Sequence, residues 1–235
     1  MTLSTSIPHL KRKARTLQRK ERIPLHQALD RIAAAEGYRS WSLLAARNPA
    51  GMAGAMLSTL ASGDMALLAG RPGQGKTVAG ILLAMEAART GRHSIFFSFE
   101  YTAADFERRC AALGLAPAPH APFRFDGSDL IAADHIEKAM DLAPPGSLAV
   151  VDYLQLLDQR RQNPALPVQL RSLKGFAQAR GMILVFLSQI DRGYDAAAKP
   201  FPDLGDIRLP NPVDLRMFDK AFFVQGGEIR IPAAA

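Results

Sequence analysis

Residues Gly70-Arg71-Pro72-Gly73-Gln74-Gly75-Lys76-Thr77 spell G-x-x-x-x-G-K-[ST] between an apolar run, Met65 to Ala69, and a helical pattern, Val78 to Arg89. Such a loop works only where a buried strand hands over to a helix N-terminus, so this octet commits the chain to a strand–loop–helix unit. The glycines let successive backbone N–H groups turn toward one point, and the positive end of the helix dipole adds to their pull on an anion. In that setting Lys76 would reach the β- and γ-phosphates of a nucleoside triphosphate, and the Thr77 hydroxyl would sit on Mg²⁺. All eight residues, Gly70 to Thr77, are therefore candidate nucleotide contacts, with ATP and Mg²⁺ as the expected cofactors.

The rest of the composition is permissive. A chain of 235 residues, 48% hydrophobic and 22% charged, has room for one good-sized globular domain and a small appendage. No apolar run approaches the roughly 18 residues needed to span a membrane, and the N-terminus lacks a signal-peptide core. The lone cysteine, Cys110, excludes an internal disulfide and fits a cytoplasmic setting. Five histidines lack metal-ligand spacing. Charge is unevenly placed: residues 1–47 carry ten Lys/Arg against three Asp/Glu, and the remainder carries nineteen of each. The whole excess of +7 thus lies in the first fifth of the chain. A segregated basic segment, with Lys11, Arg12 and Lys13 at its heart, points to a polyanion such as nucleic acid or else to a solvated helix face.

Periodicity divides the chain further. Residues 8–22 read as a basic helix with Leu10, Ala14 and Leu17 on one stripe, followed by a second helix from Pro24 to a stop at Gly37. Ser40 can cap a third helix around Trp41, Leu43 and Leu44. Together these make a basic helical module over 1–47, and Pro and Gly in 48–56 read as a linker. From 57 to 235 strands and helices alternate, the pattern of a mainly parallel sheet with helices on both faces. The strands are 65–69, 94–99, 148–151 and 182–187, with a closing hairpin around Gly226-Gly227. Helices are expected over 103–113, from a Ser128 cap to Leu142, and over 166–180, and residues 190–214 read as a long loop.

In open α/β sheets, ligands bind beyond the carboxyl ends of the strands. Polar groups follow each buried strand here: the phosphate loop, then Glu100, then Asp152, then Ser188-Gln189. Asp152 fits the acidic residue that completes a Mg²⁺ site with Thr77. Glu100 is the candidate general base for an attacking water. Gln189 can contact the γ-phosphate or that water.

Several of these segments carry a family resemblance. Leu148 to Leu157, which contains Asp152-Tyr153-Leu154-Gln155-Leu156, resembles the Walker B strand of the DnaB-type replicative helicases. Ile95 to Glu100 resembles the strand that ends in that family's catalytic glutamate. Leu170 to Ala177, with Lys174, resembles the helix before its sensor strand, and Leu187-Ser188-Gln189-Ile190-Asp191-Arg192 resembles the sensor itself. Order and approximate spacing match from about residue 57 to 224. The resemblance implies a RecA-like P-loop core, ATP held between subunits of a hexameric ring, and channel loops that grip single-stranded DNA. Carried over, Arg160 and Arg161 after Asp152, and Arg192 and Lys199 after Gln189, would face that DNA, where cations track the backbone without reading sequence.

The chain departs from the family in two places. The family's large N-terminal domain has no counterpart, and a basic module stands there instead. Its late hairpin, whose basic residues reach a neighbour's ATP site, is not matched by any motif; Arg208, Arg216, Lys220 and Arg230 are the late basic residues here. Two functional classes follow. One is a DNA-stimulated motor, a helicase or translocase. The other is a nucleotide-gated ATPase that docks on DNA or a protein without processive unwinding.

Overall fold

The computed structural model describes residues 4–5, 7–41, 44, 49–113, 115, 120–157, 163–191, 193–194, 199, 201–208, 213–225 and 228–231. Helices α1 (Ile7–Glu21) and α2 (Leu25–Ala35) open the chain, and α3 (Pro49–Thr59) precedes the first strand. There follow β1 (Met65–Gly70), α4 (Lys76–Arg89), β2 (Ser94–Ser98), α5 (Ala103–Leu113), β3 (Phe123–Asp126), α6 (Ala133–Met140), β4 (Leu148–Asp152), α7 (Leu166–Arg180), β5 (Ile183–Gln189), β6 (Lys220–Gln225) and β7 (Glu228–Arg230).

The strands form one sheet in the order β3-β2-β4-β5-β1-β6-β7. All neighbours are parallel except β6 and β7, which pair as the expected hairpin; its Gly226-Gly227 turn lies outside the described residues. β1, β2, β4 and β5 are buried almost throughout, as parallel strands covered on both faces must be. Alternate residues of each strand serve opposite cores. Ala66, Leu68, Phe96, Val150, Val185 and Leu187 face α3, α4 and α5, whereas Leu67, Phe97, Val151, Leu184 and Phe186 face α6 and α7. This is the doubly covered α/β sheet that the alternating pattern predicts. Helix α4 lies close against the sheet because Gly80 has no side chain; a Cβ there would sit 3.0 Å from Leu187 and 3.2 Å from Val150.

The N-terminal helices make their own small core. Leu10, Ala14, Ala28, Leu29, Ala33, Trp41 and Leu44 pack together, and the Trp41 amide donates to Asp30 at 2.8 Å. The stripe expected on the first helix is therefore the buried one. Arg12, Lys13, Arg15, Arg19 and Lys20 are left exposed. Arg39 donates to the Ala111 carbonyl in the last turn of α5 at 3.3 Å, which ties this module to the sheet's flank.

Three expectations need correction. The stretch 48–56 is not a linker: it is helical from Pro49, and Ala53, Met56 and Leu57 are buried against α4 and the sheet. Proline is at home in a helix's first turn, and Gly54 sets the α3 backbone close to the Glu86 carboxylate, 3.5 Å from where a Cβ would lie. The helix expected from Ser128 begins at Ala133, because Ser128 instead closes a turn by accepting from the Leu130 amide at 3.1 Å. Finally, Phe123–Asp126, which is not among the strands expected from the pattern, is the edge strand β3. Its Phe123 and Phe125 rings stack on Phe106, with centroids 5.9 and 4.3 Å apart. Pro122 is tolerated there because it precedes the strand at the sheet's edge.

Gln169 on α7 is 1% exposed and joins the start of α6 to the connection between β4 and α7. It accepts from the Ala133 amide at 2.9 Å and donates to the carbonyls of Leu157 at 2.9 Å and Pro164 at 2.7 Å. A Gln169→Met substitution keeps the volume but strands these buried groups, so the expected loss in chemical denaturation is about 2–4 kcal/mol. A loss below about 0.5 kcal/mol would show that the three backbone groups do not depend on the amide.

Candidate functional site

The parallel register brings the carboxyl ends of β1 to β6 to one edge. Gly70 pairs with Gln189 and Val224, and Ser98 pairs with Asp152. Asp152 therefore lies one strand from the Glu100 turn on one side and one strand from Gln189 on the other. The phosphate loop crosses above, because α4 packs chiefly over β2 and β4, beyond its own strand.

The loop turns on two glycines with positive φ, Gly73 at 75° and Gly75 at 98°, angles that L side chains adopt only at a cost. Gly75 stands at the cap position of α4, and no side chain caps the helix. Its first amides are thus left for an anion, as this motif requires. At the strand end, a Cβ on Gly70 would lie 2.9 Å from the Val224 carbonyl and 3.1 Å from the Lys76 stem. Arg71 and Gln74 are half-buried, whereas Pro72 and Gly73 are exposed.

Lys76, Thr77, Glu100 and Asp152 converge. Thr77 stands beside Asp152, where its hydroxyl favours the ionised carboxylate. Asp152 is only 2% exposed, and its Oδ2 has no hydrogen-bond partner. Burial pushes the Asp152 carboxyl up to about 6; Thr77 opposes that rise, the Glu100 charge adds to it, and the cations Lys76 and Arg109 work against it. Burial likewise lowers the Lys76 ammonium, while Asp152 and Glu100 hold it up. Glu100 is exposed on the turn beyond β2, and its amide donates to Ser98 Oγ at 3.1 Å. An orphaned, buried carboxylate oxygen beside a threonine hydroxyl fits a hydrated Mg²⁺ that takes its remaining ligands from phosphate and water. Among the described residues no three His, Cys, Asp or Glu side chains cluster into a metal cage of their own.

Gln189 is half-buried at the end of β5, and its carbonyl accepts from the Arg208 amide at 2.8 Å. Ile190 pairs with Ile207, and the Asp191 amide donates to the Asp206 carbonyl, so the loop beyond Gln189 has a closed neck. Gln155 closes it further, its amide nitrogen donating to Ser188 Oγ at 2.9 Å and the Arg208 carbonyl at 2.7 Å. Motif reading gave Gln155 no role, since its partners lie 33 and 53 residues away.

The expected DNA contacts fare differently. Arg160, Arg161 and Arg192 fall outside the described residues. Lys199 is not a free cation: its ammonium is held by Asp203 at 2.5 Å and Asp206 at 2.6 Å, so a phosphate would compete with two carboxylates. Of the late basic residues, Arg216 is held by Asp214, and Lys220 begins β6 near Asp64, at the sheet's opposite edge. Arg12 and Lys13 are exposed on α1, and Lys11 is half-buried.

This edge, with a phosphate loop leading into α4 and an acidic residue ending a buried strand two places away, has relatives of known structure. A DnaB-like replicative helicase, studied with its primase interactions, superposes with a TM-score of 0.54 at 18% identity, over 69% of this chain and 47% of that one. A second structure, of an ATPase domain, gives 0.52 at 19%, over 68% of each. A KaiC-like protein of Pyrococcus horikoshii gives 0.51 at 15%, over 68% of this chain and 70% of that one. The fold is that of the RecA-like ATPases. In sequence, the replicative DNA helicase DnaB of Synechocystis sp. is 25% identical over 188 residues, 66% of this chain and 21% of the relative. The RecA-like chain thus resembles DnaB while spanning about a fifth of that protein's length. No family model matches it, and no described helix is long and apolar enough to cross a membrane.

The buried carboxylate makes a stability prediction. With its folded pKa near 6, above the ordinary 3.8, Asp152 holds its proton more tightly when folded. Its contribution to the stability of the nucleotide-free protein therefore falls as pH rises from about 4 to about 6, by about 3 kcal/mol. Asp152→Asn should raise the melting temperature at pH 7.5, with the gain fading near pH 4. An equal gain at both pH values, or a loss, would contradict a buried, ionised Asp152.

Proposed function

We propose that the chain binds and hydrolyses ATP and is a DnaB-like helicase or translocase acting on single-stranded DNA as a ring-forming oligomer. The convergence of Thr77, Lys76 and Glu100 on the buried carboxylate of Asp152, whose Oδ2 has no partner, supports this reading most directly. Residues 1–47 are read as a basic helical module. The ATPase domain is read as beginning with α3 rather than at residue 57, since that helix is part of its core.

In this reading, the amides of Gly73 to Thr77 cradle the β- and γ-phosphates, and Lys76 neutralises charge that grows on them during transfer. Thr77 and Asp152 would hold Mg²⁺, which supplies charge neutralisation between the phosphates when bound. A cation beside it returns the Asp152 pKa toward the ordinary carboxylate range, so a charge that is costly without ligand is stabilised with one. Glu100 faces solvent, and its bond to Ser98 is made by its backbone, so its carboxylate is left to accept a proton from the attacking water. Gln189 contacts the γ-phosphate or that water and, through the neck at Arg208, passes nucleotide state to the loop beyond. Arg160, Arg161 and Arg192 would meet the DNA backbone, with the exposed face of α1 as a second cationic surface.

A second reading, a nucleotide-gated ATPase that docks on DNA or a protein without processive unwinding, is favoured by the pairing of Lys199 with two carboxylates. Steady-state ATP hydrolysis with and without single-stranded DNA separates the two. Strong stimulation by DNA, abolished in Glu100→Gln, is expected of a motor; turnover indifferent to DNA supports the docking protein. Lys76→Ala should lose tight ATP binding, and unchanged affinity would remove the loop as the site. Replacing Arg12, Lys13 and Arg15 by Gln should lower the slope of log affinity against log salt for single-stranded DNA by about 2 if α1 contacts phosphates. An unchanged slope would leave α1 a solvated face.

A further inference from the structure

We infer that Arg109 is a positioning residue for hydrolysis, acting through the ring of Tyr101 to hold the Glu100 turn beside Asp152. The inference rests on Glu100 serving as the base. Glu100 lies beyond the end of β2, on a turn with no strand pairing of its own, so something else must fix it. Four contacts do so. Ser98 Oγ accepts the amides of Glu100 at 3.1 Å and Tyr101 at 3.3 Å. Gly127, just after β3, leaves room for the Tyr101 carbonyl, which would be 2.7 Å from a Cβ there. Thr102 and Asp105 cap the start of α5 reciprocally, the Thr102 hydroxyl donating to the carboxylate at 2.6 Å and accepting from the Asp105 amide at 3.2 Å. The fourth contact is the Arg109 guanidinium, 5.7 Å from the centroid of the Tyr101 ring.

Its neighbour Arg108 behaves as surface arginines usually do and pairs with Asp105. Arg109 instead lies over the ring of Tyr101, the residue after Glu100. Lys76 and Arg109 are the two cations whose charge acts on Asp152, and Arg109 also acts on the Tyr101 hydroxyl. A guanidinium over a ring keeps its charge while fixing the ring's plane, which a flexible ion pair would not do. The turn carrying Glu100 is thereby locked to α5, and the mutual repulsion of Glu100 and Asp152 is offset by Arg109 as well as by Lys76. Small displacements of a base from its water are costly, which gives a remote arginine its leverage.

The test measures kcat, KM and the affinity of a fluorescent ATP analogue for the full chain. Arg109→Ala and Tyr101→Leu should each lower kcat about tenfold or more while nucleotide affinity stays within about threefold. Arg109→Lys should recover most of the loss, and Arg108→Ala should leave turnover unchanged. In single-turnover measurements on a Glu100→Gln background, Arg109→Ala should add nothing, since both act through one group. A kcat that survives Arg109→Ala while Glu100→Gln abolishes it would overturn the positioning role alone. So would a proportionate loss of affinity, which would make Arg109 a nucleotide contact, or an equal further loss on the Glu100→Gln background. Wild-type turnover in Glu100→Gln would remove the underlying assignment of the base, and this inference with it.

Discussion

A carboxylate held almost wholly out of water at the end of β4 is the feature around which the rest of the site is arranged. An ionised Asp152 loses most of its hydration there, and its Oδ2 has no protein partner. Proteins tolerate such a group where a binding partner restores what water supplied. The surrounding features follow from that need: a threonine hydroxyl brought in by α4, two cations whose charge acts on it, and an uncapped helix N-terminus at the same strand ends. The electrostatic cost of that buried charge is one that a magnesium–phosphate ligand would relieve, which links folding stability to nucleotide binding.

Holding Asp152 in place requires close approach of backbone to side chain, and glycine makes it possible at the decisive points. Gly80 lets α4 settle onto β4 and β5, so that Thr77 reaches a strand not adjacent to its own. Gly127 gives the same freedom to the turn after β2. Beyond the site, Gln155 and the Ile190–Ile207 pairing anchor the base of the long loop to the same strand ends. Any change at Gln189 is therefore mechanically connected to that loop.

Legibility in the sequence tracks the range of the interaction. Strands β1, β2, β4 and β5 and helices α4, α5 and α7 were readable because buried strands and their flanking helices carry strong local patterns. Two segments failed for local reasons. α3 is built largely of small apolar residues and has little stripe to read, while its Pro49 and Gly54 imitate a linker. β3 is a short edge strand behind a proline, with Arg124 facing out between two phenylalanines. The candidate site was legible as far as each residue follows a buried strand. Its supporting contacts were not: nothing in the spelling joins Arg109 to Tyr101, Gln169 to the start of α6, or Lys199 to the carboxylates that hold it.

By itself, then, the sequence determined the order of the strongly patterned elements, the two-sided burial of the strands, the phosphate loop and the polar residues that close each strand. These depend on periodicity and on neighbours a few positions away. Tertiary structure alone decided the strand order, and with it the placing of Asp152 between the Glu100 turn and Gln189. It also decided how deeply the central carboxylate is buried. Those properties depend on distances between residues far apart in the chain, set by how α4 and α5 pack on the sheet, and no local pattern encodes them.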